Sequence, residues 1–317
     1  MSKQDYLSKE NTTSVNGIFI IVVFLSHMRY YIQLPQVMDS FLSWIGQLMV
    51  AMFLFYSGFG VMESIQSKGM TYVKSIPSKR VGKVLLFFDI AVILYALLNV
   101  VLNIPFSFSK FVLALLGWEN LENSNWYIFV ILCLYLVTWL AFLIGKERKW
   151  LSFWLLVLFT IALFVFLHET KERWWYNTLT AYLFGAFFSL EKEKWKSILD
   201  KPIAWFIITI FSVGATVILK PYSWHSSLYL VMTITYCMFV ICVTQKVPIY
   251  NRILYWIGSH LFGIYILMRI PMLILERIPV NILHNPLIFG VISLVLTLLM
   301  ATVFHWLLQK KIIVRKE

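Results

Sequence analysis

Charged residues are scarce in this sequence. Asp, Glu, Lys and Arg together make up 13% of the 317 residues, whereas apolar residues make up 60%. An ordinary globular domain is about 25% charged and about 45–50% apolar. One protein core cannot bury so much apolar surface, so the composition excludes a soluble globular protein and predicts one that is dissolved in lipid. At about 20 residues per crossing, the chain is long enough for about ten transmembrane helices and leaves no room for a sizeable soluble domain.

The motifs of common soluble enzymes are also missing. The sequence contains no P-loop, no glycine-rich dinucleotide motif and no zinc-binding spacing. Its three cysteines, Cys133, Cys237 and Cys242, lie in apolar runs without the spacing of metal ligands or redox pairs, so we interpret them as small core residues. We find no linker, low-complexity tract, internal repeat or signal peptide. These observations predict one transmembrane domain over residues 1–317 that uses no metal.

Acidic residues are few as well, 15 against 27 Lys and Arg, which gives a net charge of +12. In a membrane protein this excess is explained by topology rather than by nucleic-acid binding, because Lys and Arg accumulate on the cytoplasmic side. If the amino terminus is inside, the inner segments carry 20 of the 27 basic residues. We therefore predict an all-α polytopic membrane protein with cytoplasmic tails at 1–15 and 309–317. The ten predicted spans lie at about 16–34, 41–62, 81–102, 126–144, 151–167, 175–190, 203–219, 227–243, 253–275 and 286–308.

Ionisable side chains at membrane depth are rare, so each one is a candidate functional residue. His27 lies eleven residues after Asn16, and eleven residues return to within about 20° of the same helix face. An imidazole in the outer half of the first span can act as a general base. The alternative is an interfacial histidine that is wetted from outside, and the spacing favours neither interpretation. Ser26 precedes this histidine directly.

Three further charged positions are candidates on the same grounds. Asp89 lies nine residues into the third span, and we interpret it as the structural partner of a buried cation, with a functional carboxylate as the alternative. Arg269, in the outer half of the ninth span, can bind an anion or pair with a carboxylate. Lys79, Arg80 and Lys83 cluster where the third span begins. Topology-setting charge explains most such clusters, and binding of phosphate oxygens is the functional alternative.

Five segments of the chain carry longer patterns: Asn16–His27, Met52–Val61, Ser78–Lys83, Asn123–Tyr135 and Trp256–Met272. In this order they resemble the motifs of the acyltransferase 3 family, the membrane O-acyltransferases that modify bacterial surface glycans. The family patterns are R-x10-H in the first span, F-F-x-x-S-G-F in the second, a basic entry to the third, a Trp-led fourth span, and a late G-x-x-S-x-x-I-Y-L-L-H segment. The resemblance covers nearly the whole chain, and ten spans is the usual plan of the family.

The sequence departs from the family patterns at three positions. Asn16 stands where the family has arginine, Met268 where it has the late histidine, and Leu261 where it often has serine. His27 and the basic character at Arg80 are retained. The retained residues favour an active enzyme. The departures predict that its network of charged residues differs from that of the family.

The resemblance implies transfer of an acyl group, commonly acetyl, from cytoplasmic acyl-CoA to a hydroxyl of a cell-surface polysaccharide or its lipid-linked precursor. The location would be the bacterial cytoplasmic membrane, with polysaccharide-synthesis machinery as a candidate partner. His27 would be the catalytic residue, as base or as acyl carrier, and the Lys79, Arg80 and Lys83 cluster would bind the CoA phosphates. The remaining candidates for substrate binding or for the polar network are Asn16, Ser26, Ser57, Asp89, Trp126 and Arg269.

Two other functions stay open at this stage. A small transporter of a glycan precursor or organic anion is compatible with ten spans, with Asp89 at membrane depth and with the change at Asn16. A catalytically inactive scaffold of a polysaccharide-synthesis complex is the third interpretation. The five ordered resemblances and the lack of repeat symmetry favour the acyltransferase.

Overall fold

The structure, a computed structural model, describes residues 5–146, 148–280 and 285–313, the last five of them by their backbone only. The predicted cytoplasmic tails 1–15 and 309–317 therefore lie partly outside the described residues. Every regular element in the described ranges is a helix, which confirms the all-α class. The α-helices of these ranges are α1 (Lys9–Met28), α2 (Gln36–Ile76), α3 (Lys83–Val101), α4 (Phe108–Leu115), α5 (Trp126–Gly145), α6 (Lys149–Thr170), α7 (Leu179–Leu190), α8 (Lys192–Leu199), α9 (Pro202–Leu219), α10 (Ser226–Lys246), α11 (Arg252–Ser259), α12 (Leu261–Leu267), α13 (Arg269–Glu276) and α14 (Pro286–Ile313).

The helices are long and apolar enough for a polytopic membrane protein. Seven helical segments of the described chain meet the length and composition of a membrane span, or eight if the bent pair Arg252–Ser259 and Leu261–Glu276 counts as one span. One of the seven, Gln36–Val101, has 66 residues and contains two of the predicted spans. α7 has only 12 residues, fewer than the roughly 17–25 of one crossing. The count of ten spans and the side of the termini therefore stay predictions.

The basic segment between the second and third predicted spans is helical, although the sequence suggested a loop. The segment has no proline before Pro77 and a single glycine, Gly69, whose φ of 58° and ψ of −147° form a kink, so α2 consists of two helical stretches, the second of which ends at Ile76. A π-helix, Pro77–Gly82, then leads directly into α3. Such π-helical turns are rare, and many of those that are known lie at functional sites. Arg80 lies in this one.

The chain folds as two compact units. The first contains Val50–Leu86 and Trp126–Pro248, with the amino-terminal segment that ends at Tyr6. In this unit α2 and α7 pack backbone against backbone. A Cβ atom on Gly58 would overlap the carbonyl group of Tyr182, and a Cβ atom on Gly185 would overlap the carbonyl group of Phe55. Small residues permit this close packing between helices in membranes.

The second unit contains Leu7–Met49, Phe87–Asn125 and the chain from Ile249 onward. Here α1 and α11 approach each other in the same way, because a Cβ atom on Gly258 would overlap the Thr13 carbonyl oxygen. The helical segment Arg252–Ser259 is then bent by 58° against Leu261–Glu276. This packing and this bend place the carboxyl-terminal half of α1 beside α12, where His27 contacts Tyr265.

Candidate active site

His27 lies at the carboxyl-terminal end of α1. Ile20 and Val23, which lie between Asn16 and His27 on the same face of α1, are 0% and 1% exposed and therefore face the protein interior. The imidazole packs edge-on against the ring of Tyr265 on α12, with 6.4 Å between the centroids and 85° between the planes. The ring of Tyr30 lies at 6.2 Å. The Nδ1 atom of His27 is buried and has no hydrogen-bond partner among the described residues, so this nitrogen is available to a ligand.

Arg269 is the first residue of α13, and its guanidinium group is held by two oxygen atoms. The Nε–H group donates a hydrogen bond to the Tyr31 phenol oxygen at 2.6 Å, and Nη1 donates to the backbone carbonyl of Asn123 at 3.3 Å. The guanidinium also lies over the Tyr31 ring, 5.5 Å from its centroid. No carboxylate of the described residues forms an ion pair with it. We call His27, Tyr30, Tyr31, Tyr265 and Arg269 the histidine cluster.

The carbonyl group that holds Arg269 belongs to a buried strap, residues 121–125. Asn123 is 2% exposed, and its side-chain oxygen accepts a hydrogen bond from the backbone N–H of Leu121 at 2.8 Å. The side chain of Asn125 donates to the backbone oxygen of Gly117 at 2.9 Å. The hydroxyl group of Ser124 and the Nδ2 group of Asn123 are buried without a partner in the described part of the chain. The strap therefore adds polar groups to the second unit at a position where the sequence showed only an outer loop.

An open pocket of about 400 Å³ lies next to the histidine cluster, lined by Arg29, Tyr30, Tyr31, Ile32, Gln33, Leu34 and Asp39. Arg29 and Asp39 form a bidentate ion pair across it, with both N···O distances at 2.8 Å. Tyr31 lines the pocket and also accepts the hydrogen bond from Arg269. The pocket thus shares two residues, Tyr30 and Tyr31, with the histidine cluster.

Three other predicted site residues lie in the second unit, each in a different environment. Ser26 donates its hydroxyl hydrogen to the Val23 carbonyl oxygen at 2.8 Å and packs against Gly46, which is a structural role. Asn16 has a buried side-chain oxygen with no partner among the described residues. The predicted pairing of Asp89 with a buried cation is not seen among the described residues. The Oδ1 atom of Asp89 is buried and has no hydrogen-bond partner in the described part of the chain, where Asp89 also forms no ion pair with Lys or Arg.

Arg80 is the centre of a second polar cluster, in the first unit. Its Nε–H group donates to the Tyr72 phenol oxygen at 2.9 Å. Its guanidinium lies 5.9 Å from the Tyr72 ring centroid and 6.0 Å from that of Tyr135. No carboxylate in the described ranges pairs with Arg80. We call Arg80, Tyr72 and Tyr135 the arginine–tyrosine cluster.

More hydroxyl groups surround this cluster. The side chain of Ser57 lies within hydrogen-bonding reach of the phenols of Tyr127 and Tyr135. Thr138 and Tyr182 share a hydrogen bond of 2.9 Å between their hydroxyl oxygens. The predicted site residue Ser57 thus contacts the same tyrosine that lies under Arg80, and the structure brings these two predicted residues into one network.

The three basic residues of the third-span entry differ in their surroundings. Arg80 turns toward the tyrosines, whereas Lys79 and Lys83 are exposed. Trp126 begins α5, half-buried, with its ring 6.2 Å from that of Tyr127. Of the three predicted phosphate-binding residues, Arg80 is therefore the one that belongs to a buried polar cluster, and binding of phosphate by all three stays a prediction.

Sequence reasoning missed the tyrosines of both clusters. Tyr31 and Tyr265 shape the histidine cluster, and Tyr72 and Tyr135 hold Arg80. The available signal was a phenol within a long apolar stretch. That signal is weak because tyrosines at membrane interfaces are common, and the chain has 16 of them. In the described residues, no group of three His, Cys, Asp or Glu side chains is arranged to hold a metal ion.

Comparison with known proteins adds one finding to this geometry. The model of one protein family, described as an acyltransferase domain, matches residues 15–306, which is nearly the whole chain. No curated protein and no solved structure matches the chain.

Proposed function

The chain belongs to the acyltransferase 3 family and is a membrane acyltransferase, and from that premise we propose its reaction. The protein transfers an acyl group, acetyl in the first instance, from cytoplasmic acyl-CoA to a hydroxyl group of a cell-surface polysaccharide or its lipid-linked precursor. It acts in the bacterial cytoplasmic membrane, where polysaccharide-synthesis machinery is its candidate partner. Family membership favours this function over the transporter alternative.

The observation that carries the proposal is the buried Nδ1 atom of His27, which has no hydrogen-bond partner among the described residues and whose ring is acted on by the positive charge of Arg269. A sugar hydroxyl is a poor nucleophile until a base accepts its proton. Imidazole is the side chain whose ordinary pKa suits that transfer near neutral pH. A histidine with a purely structural role would have its ring nitrogens satisfied, because a buried polar atom without a partner is destabilising by about 1–3 kcal/mol. We therefore assign His27 the role of general base.

The arginine–tyrosine cluster is the candidate site for the donor. Acyl-CoA carries several phosphate groups, and a guanidinium binds phosphate oxygens in a bidentate manner. Arg80 is partly buried, is held in place by the phenol of Tyr72, and has no carboxylate partner in the described chain. A guanidinium in such surroundings is costly unless an anion compensates it. Exposed Lys79 and Lys83 contribute less, because solvent screens their charges.

The open pocket beside Tyr31 is the candidate entrance for the acceptor. Tyr30 is 65% exposed there and offers an aromatic surface. The ion pair of Arg29 and Asp39 offers several fixed hydrogen-bonding atoms. Aromatic faces and fixed polar groups together suit a sugar ring, which has apolar C–H faces and hydroxyl edges. The pocket adjoins the histidine cluster, so an acceptor bound there would have a hydroxyl group near His27.

A comparison of surface-polysaccharide O-acyl groups tests this proposal. Cells with the gene, cells without it and complemented cells would be treated with mild base, and the released acyl groups measured. We expect acetate to fall in the deletion strain and to return on complementation. Equal amounts of released acyl groups in all three strains would contradict the proposal, and release of a longer acid would correct the assignment of acetyl.

A further inference from the structure

Arg269 has hydrogen-bonding capacity that the fold does not use. A guanidinium has five N–H donors. One is bound to the phenol oxygen of Tyr31 and one to the backbone carbonyl of Asn123. The remaining donors have no acceptor among the described residues, and no carboxylate there forms an ion pair with the guanidinium, although the charge of Glu122 acts on it from beyond that distance. The two bonds it makes fix the plane of the guanidinium, so the unused donors have a defined direction.

The unused donors lie close to His27. Tyr265 and Arg269 are four residues apart on the helical segment Leu261–Glu276, so they lie on the same face, about 6 Å apart along the axis. The ring of Tyr265 is in edge contact with the imidazole of His27. The positive charge of Arg269 also acts on that imidazole. A group bound at His27 is therefore within about one helical turn of a fixed, partly buried cation.

We propose that Arg269 is a catalytic residue that stabilises the oxyanion formed when the acceptor hydroxyl attacks the thioester. The inference rests on the proposed function, because it assigns a second residue to the same reaction. A cation in low-dielectric surroundings, held before the reaction begins, stabilises developing negative charge far more than water does. Neither Tyr31 nor Asn123 requires a cation, since a neutral amide would satisfy the same two oxygen atoms.

The step balances with the groups named. His27 accepts the proton of the acceptor hydroxyl while the hydroxyl oxygen forms a bond to the thioester carbonyl carbon. The π electrons of the carbonyl move to its oxygen, and Arg269 donates hydrogen bonds to the resulting oxyanion. When the carbonyl re-forms, the carbon–sulfur bond breaks, and the CoA thiolate leaves with the proton that His27 had accepted. The product is the O-acyl ester, and both side chains return to their first state.

The test uses the full-length protein in a strain that lacks the chromosomal gene. The variants are Arg269→Gln, which keeps length and polarity without the charge, and Arg269→Lys, which keeps the charge without the planar fork. The matched control is Arg277→Gln, because Arg277 directly follows the opposite end of α13 and also donates from Nη1 to a backbone carbonyl, that of Leu102 at 2.7 Å. Base-released acetate on surface polysaccharide is measured per amount of membrane protein. Binding of acetyl-CoA is measured on the purified variants.

We expect Arg269→Gln to lower transfer by about 10²–10³-fold, the usual effect of removing an oxyanion donor, with acetyl-CoA affinity within threefold of wild type. Arg269→Lys should recover at least tenfold of that loss, and Arg277→Gln should transfer normally. A loss below tenfold in Arg269→Gln, or a parallel loss of acetyl-CoA affinity, would overturn the role. Equal activity of the Gln and Lys variants would also overturn it, because the effect would then come from the fork geometry and not from the charge.

Failure of the proposed function gives a different result. If the wild-type gene restores no O-acyl groups, the reaction itself is misassigned. If wild type restores them, and His27→Ala does not, while Arg269→Gln does, then only the role of Arg269 is wrong. If Arg269→Gln is absent from the membrane, Tyr31→Phe is used instead. It removes the phenol oxygen that accepts the hydrogen bond from Arg269 Nε and leaves the charge of the guanidinium. We expect that variant to lose transfer by a smaller factor than Arg269→Gln, again without loss of acetyl-CoA affinity, and an unchanged rate would count against the inference.

Discussion

The Nε–H group of Arg269 donates a hydrogen bond to the phenol oxygen of Tyr31 at 2.6 Å, across 238 residues of sequence. Tyr31 follows α1 by three residues, and Arg269 begins α13. The bond therefore joins the end of the helix that carries His27 to the helical segment that carries Tyr265, whose ring contacts the imidazole. It places the imidazole of His27 and the guanidinium of Arg269 in the same part of the second unit.

The first prediction concerns topology. In a variant without native cysteines, Ser78→Cys should react with a membrane-impermeant thiol reagent only after the cells are opened, because its segment is the most basic of the predicted inner ones. Ser78 is exposed, so burial would not prevent labelling. Ser109→Cys, at an exposed position of the predicted outer loop, is the matched control and should react in intact cells. Labelling of Ser78→Cys in intact cells would invert the predicted orientation.

The second prediction separates Arg80 from its basic neighbours. Arg80→Ala should weaken acetyl-CoA binding by about 1.5–3 kcal/mol, the usual loss for a hydrogen bond to a charged group. Arg80→Lys should recover only part of this, because an ammonium cannot reproduce the planar fork. Binding is measured by titration of the purified protein, after labelling at Ser78→Cys has verified its orientation.

Lys79→Ala is the matched control for that experiment. It removes the same charge from the adjacent, exposed position, so a topology effect would appear in both variants and a binding effect only in Arg80→Ala. If both variants bind acetyl-CoA as wild type does, the donor site lies elsewhere. If both lose the same affinity, the effect is one of general charge, and the arginine–tyrosine cluster has no special role.

The third prediction tests the close packing of α1 and α11. Gly258→Ala should lower the stability of the detergent-solubilised protein by about 1–3 kcal/mol, the range for overpacking, because the added methyl group would overlap the rigid carbonyl group of Thr13. Gly214→Ala is the control, since no atom lies within 4 Å of a Cβ atom there. It should be neutral or slightly stabilising, as alanine favours helix. Equal thermal unfolding temperatures of the two variants would show that the helices separate more easily than the structure indicates.

Composition and periodicity were sufficient for the helical membrane fold and for the buried face of α1. The eleven-residue spacing from Asn16 to His27 follows from helix geometry alone, and the intervening Ile20 and Val23 are buried as that geometry requires. The ends of the helices were harder to predict from the sequence. The segment 63–76 contains no proline, so it is helical on both sides of the kink at Gly69, where charge alone suggested a loop.

The two polar clusters could not be predicted from the sequence, because they depend on contacts between distant residues that no local pattern encodes. Lys79, Arg80 and Lys83 are equivalent by composition, and only the register of the π-helix against α5 turns Arg80 toward Tyr135. Likewise the hydrogen bond from Arg269 to Tyr31 depends on tertiary packing of distant segments. A single sequence predicts that a polar residue at membrane depth needs a partner, but it does not name the partner.

The central claim is that His27 is the general base of an acyl transfer. The most direct test measures base-released acetate on the surface polysaccharide of gene-deleted cells that express His27→Gln, at membrane levels equal to wild type. His168→Gln is the matched control, because that imidazole is exposed and contacts only local groups such as Glu169. Loss of a general base typically costs about 10²–10⁴-fold in rate. We therefore expect His27→Gln to retain less than about a tenth of wild-type O-acetylation and His168→Gln to retain all of it, whereas normal O-acetylation in His27→Gln would contradict the account.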